Sequence, residues 1–343
     1  MSLSEKYTAD MAAGGAMAEQ VQILAADIGG TNSRFARFTA FPLRMVAQCS
    51  VPSRAESFAE VLAAARQCAP EVFAGRAACA AVAVAGPVAA QEAVRLTNVS
   101  YAITRAELLP CADKVFFLND FEAQTRACAT AALREAYPVL TGGGAEEHFS
   151  IRRLDDGVAV IGAGTGLGMA HCVRDGKALR VLPSEGGHVM FAFNNGEEQE
   201  FAAFVRAVRQ RRYVKSEDVL SGRGLSTLHQ FLTGEVCTPA EITAAPDFAS
   251  SATCVWFARM YARACRHLAL FALPRGGMVI TGGVAAGCPA LVEHAAFREE
   301  FFCVPPPHDA LLARIPVWLN RNGASGLWGA AQAACEALDA GSL

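Results

Sequence analysis

Leu24-Ala25-Ala26-Asp27-Ile28-Gly29-Gly30-Thr31-Asn32-Ser33-Arg34-Phe35-Ala36 carries an apolar run into an acidic residue, two glycines and a Thr-Asn pair, after which apolar alternation resumes through Phe35 and Phe38. This pattern predicts two short strands joined by a tight turn, with a carboxylate at the hairpin tip. Glycine at the tip reaches backbone conformations that other residues avoid and, lacking a Cβ, lets N–H groups approach an anion closely. A nucleotide phosphate with its metal suits such a tip. The competing reading is an ordinary glycine hairpin with a capping Asp.

The segments that follow alternate in type. A strand is expected near Met45 to Val51, a helix from Ala55 to Cys68 introduced by Ser53, and an Ala/Val strand over 79–85 that ends at Gly86-Pro87. A helix near 104–110 then precedes Val115-Phe116-Phe117-Leu118, which stops at Asn119-Asp120. The second half starts over: Val158-Ala159-Val160-Ile161 is a buried-type strand running into Gly162-Ala163-Gly164-Thr165-Gly166-Leu167-Gly168. A long helix between about 250 and 273 has Val255, Ala258, Ala262, Cys265 and Ala269 on one face and Arg259, Arg263 and Arg266 on another, with Pro274 ending it. Met278-Val279-Ile280 leads into a third glycine turn, Thr281-Gly282-Gly283-Val284; Ile315-Pro316-Val317-Trp318 reads as an edge-like strand, and Gly326 to Leu338 as a terminal helix. The class is α/β with some parallel pairing, and the two halves read as related domains.

A chain of 343 residues exceeds one simple core, so two domains are expected. Hydrophobic residues make up 52% and charged ones 18%, a globular balance, and a net charge of −3 gives no reason to expect nucleic acid or an anionic membrane. The longest nearly uncharged runs are too short to span a bilayer. Residues 1–20 lack the apolar core of a secretory signal and read as a disordered leader. Twelve cysteines are scattered without a C-x-x-C pair, which argues against a zinc site and for buried, reduced thiols in a cytoplasmic protein.

Three glycine turns at the exits of apolar strands form the main constellation, since ligands of α/β sheets sit at the carboxyl ends of strands. The G-x-x-x-x-G-K-[ST] phosphate loop is absent from the sequence, and the glycines at 162–168 have the wrong offsets for a dinucleotide fingerprint. Asn119-Asp120 sets a carboxylate and an amide at the mouth of a sheet, as a general base for an alcohol requires; alternatively Asp120 caps the following helix. Ser184-Glu185-Gly186-Gly187-His188 offers a carboxylate and an imidazole suited to the hydroxyls of one polyol. Glu217 reads equally as a ligand or as an early-helix acid. Arg206, Arg209, Arg211, Arg212 and Lys215 read as a solvated helix face.

Taken in order, Asp27-Ile28-Gly29-Gly30-Thr31-Asn32, Leu118-Asn119-Asp120-Phe121, Gly162 to Gly168, Glu185-Gly186-Gly187-His188, Leu220-Ser221-Gly222 and Thr281-Gly282-Gly283-Val284 resemble the motifs of bacterial glucokinases, of the hexokinase/actin-like ATPase superfamily. The resemblance spans about residues 22 to 340. It implies a two-domain actin-like ATPase (ribonuclease H-like) fold with an interdomain cleft, a small domain over 21–130 and 323–343, and a large one over 131–322. It also implies ATP, Mg²⁺ and transfer to the 6-hydroxyl of glucose. By position, Asn119, Asp120, Glu185, His188 and Glu217 would hold the sugar, with Asp120 as base. Asp27 would act on Mg²⁺ through water; Gly29, Gly30, Thr31, Asn32, Gly164, Thr165 and Gly166 would form the phosphate turns, and Gly282 and Gly283 would lie near the adenosine. A homodimer is the family's usual form. Ser184, Arg223 and the Pro305-Pro306-Pro307 loop depart from the family pattern. The alternatives are a kinase for another hexose or N-acetylated hexose, a sugar-sensing regulator without catalysis, and an actin-like filament ATPase. The regulator would need a DNA-binding domain that about 20 residues before the first strand do not hold.

Overall fold

The structure, a computed structural model, describes residues 20–88, 91–96, 99–142, 148–176, 178–194 and 196–340. The expected leader lies, except for Gln20, outside the described residues. The chain divides into two compact units, Met1–Leu133 with Ala324–Leu343, and Arg134–Gly323.

In the first unit β1 (Gln22–Ile28) and β2 (Asn32–Thr39) form the expected hairpin, and β3 (Arg44–Pro52) extends it antiparallel. Helix α1 (Phe58–Cys68) crosses to β4 (Ala77–Val84), which pairs parallel with β1. A separate ribbon of β5 (Ala93–Arg95) and β6 (Ala102–Thr104) precedes β7 (Ala112–Asn119), parallel to β4. The sheet order is β3-β2-β1-β4-β7. Its central strands are buried along almost their whole length because both faces are covered, as parallel sheets require. Phe35, Phe58, Val61, Leu62 and Val82 pack on one face; on the other, Ile23, Ala25, Ala81 and Ala83 meet Leu327, Ala330, Ala331 and Ala334 of the C-terminal helix Ser325–Asp339. That helix approaches so closely that a Cβ on Gly329 would fall 1.6 Å from the Ala123 carbonyl oxygen, in α2 (Asp120–Arg126).

Ser53 does not introduce α1. Ser57 caps it, its side chain accepting from the Glu60 N–H, while Ser53 is buried and its hydroxyl donates to the Gly29 carbonyl at 2.6 Å.

The second unit repeats the strand pattern. With β8 (Tyr137–Leu140) as the added outer strand, β9 (Val158–Ala163), β10 (Leu167–Asp175) and β11 (Ala178–Ser184) form an antiparallel meander. Helices α3 (Gly196–Arg209), α4 (Gly222–Thr233) and α5 (Ala252–Ala272) follow, then β12 (Gly277–Thr281), parallel to β9, and β13 (Val317–Leu319), parallel to β12. The order is β11-β10-β9-β12-β13-β8. The strand expected at an edge is therefore interior: β13 lies between β12 and β8, and Trp318 is 1% exposed. Pro316, which has no N–H to give a ladder, stays just outside the strand and accepts from the Met278 N–H at 2.8 Å. Among the described residues no helix is long and apolar enough to cross a membrane.

The arginine face of α5 is not solvated throughout. Arg263 is 1% exposed; its guanidinium holds Glu198 of α3 through two bonds of 2.6 and 2.9 Å and Glu300 through a third of 3.0 Å. Arg266 also reaches Glu300 at 3.0 Å. An amphipathic pattern marks polarity but does not show which polar residues meet partners. Burial resists ionisation of Glu198, but the Arg263 guanidinium and the Asn194 N–H outweigh it and hold the carboxyl below the ordinary glutamate value.

Removing one partner of a buried pair leaves a charge uncompensated, so Glu198→Gln should cost about 3–5 kcal/mol, read as a lowered denaturant midpoint. Because Glu198 titrates lower in the folded than in the unfolded chain, its contribution is full above the ordinary glutamate value of 4.5 and fades as pH falls below it. The melting temperatures of wild type and Glu198→Gln should therefore converge on acidification. A constant gap down to the acid limit would refute the assignment.

Candidate active site

Register builds the first cluster. Ile28 of β1 stands beside Val84 of β4, and Val84 beside Asn119 of β7, so the hairpin tip and the Asn119-Asp120 step leave the same, carboxyl end of the sheet. At the tip the Gly29 N–H donates to the Asn32 carbonyl at 3.0 Å, and the Ser53 N–H to the Thr31 carbonyl at 2.9 Å. Ser53 thus clamps the turn from β3 through both its backbone and its hydroxyl. Thr31 and Asn32 are exposed.

Asp27 is only 8% exposed, and burial pushes its carboxyl above the ordinary value, with Arg34 at 3.4 Å pulling the other way. Its Oδ2 lies 2.6 Å from where a Cβ on Gly326 would be, so a larger residue in the first turn of the C-terminal helix would press on the carboxylate. A carboxylate whose burial outweighs its one guanidinium partner fits a further cation. As one hard oxygen donor it suits Mg²⁺, which keeps most of its waters.

The helix cap that the sequence allows for Asp120 belongs to Asn119. Asn119 Oδ1 accepts from the N–H groups of Phe121 and Glu122 at 2.9 and 3.2 Å, and Nδ2 donates to the Gly86 carbonyl at 3.0 Å. Asp120 follows as the first residue of α2, half-buried at the sheet end. The amide is therefore a frame for the carboxylate, with one amide hydrogen still available.

The second unit holds its own cluster. In the turn after β9 the Gly164 N–H donates to the Gly166 carbonyl at 2.8 Å, and the Gly222 N–H at the start of α4 donates to the Gly164 carbonyl at 2.9 Å. Beyond β11, Glu185 is exposed and its carbonyl accepts from the His188 N–H at 2.9 Å. A Cβ on Gly187 would fall 1.9 Å from the Leu167 carbonyl oxygen, so glycine alone lets this loop lie against the start of β10. Glu217, in the short turn Ser216–Val219, reaches the same place, with Oε2 2.9 Å from a Cβ built on Gly166.

Lys215 corrects the reading of the basic run. Its side chain is 11% exposed, and Nζ lies 2.5 Å from Glu217 Oε1 and 3.5 Å from His188 Nδ1. His188 Nε2 is 3.8 Å from Glu217 Oε2. His188, Glu217 and Lys215 thus form one polar cluster beside the Gly164–Gly166 turn; Arg206, Arg211 and Arg212 do stay exposed. The adjacency of Lys215 to Glu217 was the one sequence signal for it. Ser53 and Gly326 left none, since their partners are distant in sequence.

The third turn leaves β12 beside the end of β9, where Thr281 pairs with Gly162. Gly282 has φ +88°, and a Cβ there would come within 2.5 Å of the Ala163 carbonyl oxygen. Open space surrounds Gly283. Each unit thus carries glycine turns at strand exits with titratable side chains beside them, an arrangement suited to phosphate and polyol ligands.

A sequence profile described as Glucokinase matches residues 24–337. A glucokinase of Sinorhizobium medicae is 31% identical over 315 residues, 86% of this chain and 87% of that protein. Of solved structures, the glucokinase from an Antarctic psychrotroph aligns with a TM-score of 0.73 at 26% identity, over 92% of this chain and 99% of its own. The glucokinase of Balamuthia mandrillaris, in complex with glucose, aligns with a TM-score of 0.75 at 21% identity over 97% of each chain and attests the fold. The fold is the two-domain actin-like ATPase fold of these kinases.

Losing the cap, Asn119→Ala should lower stability by about 0.5–2 kcal/mol, and Asn119→Ser, which keeps a capping oxygen, by less. Chemical denaturation measures both. Equal stability of the alanine variant and wild type would exclude the capping role.

Proposed function

The chain belongs to the glucokinase family, and we propose that it transfers the γ-phosphoryl group of ATP to the 6-hydroxyl of D-glucose, giving glucose 6-phosphate and ADP. The observation that carries this reading is the row Ile28–Val84–Asn119, because it brings a phosphate-type turn and the Asn119-Asp120 step to one end of one sheet. Relatives named glucokinase at about this identity over most of the chain support the sugar.

Phosphoryl transfer asks the protein for in-line positioning, charge neutralisation and exclusion of water more than for covalent chemistry. Asp120 takes the proton of the 6-hydroxyl as that oxygen bonds to the γ-phosphorus and the bond to the β-phosphate oxygen breaks. Asn119 holds Asp120 by capping α2 and offers its remaining amide hydrogen to a sugar oxygen. Glu185, His188 and Glu217 bind the other hydroxyls. Donation from Lys215 to His188 Nδ1 puts the proton of the neutral imidazole on Nε2, and the same ammonium neutralises Glu217 and fixes its rotamer. Gly29, Gly30, Thr31 and Asn32 form one phosphate turn and Gly164, Thr165 and Gly166 another; Gly282 and Gly283 accommodate the adenosine. Asp27 would hold Mg²⁺, which when bound would supply positive charge to the phosphate oxygens.

Asp120→Ala should lower turnover by roughly 10²–10⁴ while glucose still binds, measured by coupled ADP release and by calorimetry. Turnover near wild type would exclude Asp120 as the base. A panel of hexoses in the same assay should favour glucose over fructose, since Glu185, His188 and Glu217 supply several fixed polar partners; equal turnover on both would refute the specificity.

A further inference from the structure

Three side chains of unlike chemistry, away from the residues assigned to sugar and nucleotide, converge at the end of α4. One ligand atom each from His229, Glu235 and Cys237 lies within 4.8 Å of the others. The sequence, without a C-x-x-C pair, argues against a zinc site, and the spacing of these three matches none of the usual metal motifs. The turn after α4 brings them together. Gly234 takes the left-handed conformation at φ 81° and its N–H closes on the Gln230 carbonyl at 2.9 Å. Thr233 Oγ1 donates to the His229 carbonyl at 2.8 Å and accepts from the Glu235 N–H at 3.1 Å, folding Glu235 back over the last helical turn.

A second contact orients the imidazole. His229 Nδ1 lies 3.0 Å from the hydroxyl of Thr253, a residue of α5 that is 2% exposed. With Nδ1–H donating to that oxygen, Nε2 is left with its lone pair, the tautomer and support found behind metal-bound imidazoles. His229 and Cys237 are half-buried and Glu235 is exposed, so an ion reaches the cluster from solvent.

We infer that His229, Glu235 and Cys237 bind a divalent transition-metal ion of the zinc class. A thiolate and a carboxylate together carry the charge that balances a dication. Mixed nitrogen, oxygen and sulfur donors select zinc-class ions over Mg²⁺, which takes oxygen ligands. Three protein ligands leave the fourth tetrahedral position to water. The ion ties the end of α4 to the 234–237 loop and, through His229 and Thr253, to α5. The other end of α4 is where the Gly222 N–H holds the Gly164 turn, so the site braces the helix that anchors a phosphate turn.

Whole protein treated with chelator, freed of it and titrated with Co²⁺ in the absence of nucleotide should show thiolate-to-cobalt charge-transfer absorption saturating at one equivalent, and Zn²⁺ should displace it. With twelve cysteines in the chain, the comparison that matters is Cys237→Ser, which should abolish the band. Glu235→Gln, at an exposed position, should weaken binding even if the serine variant folds poorly. Thr253→Val keeps all three ligands and should weaken Zn²⁺ affinity about 10- to 100-fold. Zn²⁺ should also raise the melting temperature of wild type and not of Cys237→Ser. No uptake by wild type, or cobalt spectra and zinc affinities unchanged in Cys237→Ser and Glu235→Gln, would overturn the site.

Discussion

The hydrogen-bond register of a few parallel strands is the constraint on which the rest depends. Parallel pairing sends the carboxyl ends of β1, β4 and β7 out of the same side of the sheet, and the ladder that aligns Ile28, Val84 and Asn119 sets which residues stand there. A slip of one residue in β1 would exchange its two faces and turn Asp27 the other way. Buried on both faces, these strands have no tolerance for such a slip. The second unit uses the same rule, pairing Ile161 with Ile280 and Gly162 with Thr281, so that its two glycine turns leave neighbouring strands together. The shared strand order of the two sheets explains why both halves of the sequence open with a strand and a glycine turn.

Around those exits, backbone meets backbone at distances that exclude a side chain. Gly187 lies against the Leu167 carbonyl, Gly282 against that of Ala163, and Gly329 against that of Ala123. In each contact the opposing atom is main chain, so no rotamer change relieves a clash. Two of the three bring a site loop to the strand beside it; the third seats the C-terminal helix, which carries Gly326 to the Asp27 carboxylate. The glycines thus transmit the order of the sheets to the turns.

Charge placed near the core is matched by partners. Arg263 is held by Glu198 and Glu300 from two other helices, and Glu217 by Lys215 two residues before it. An isolated buried charge would cost several kcal/mol, so such groups are found paired. The pairs differ in consequence. The Arg263 network braces the helices, whereas Lys215 and Glu217 sit beside an imidazole and a glycine turn.

Short-range pattern determined much of this protein. The apolar run into Asp27, the glycine tip and the resumed alternation specify a hairpin because turn chemistry and period-two burial are local, and the same holds for Val158 to Gly168 and for the break at Asn119-Asp120. The ordered motifs were legible for that reason. Tertiary structure alone decided the rest. It made Asn119 rather than Asp120 the cap, placed β13 inside its sheet, moved Ser53 from a helix start to the hairpin tip, and buried Arg263. It also turned Lys215 onto Glu217 and gathered His229, Glu235 and Cys237. Most of these depend on a partner tens of residues away or on a turn whose geometry is set by packing. A linear pattern records which residues are polar or apolar; which of them meet is settled only when the chain closes on itself.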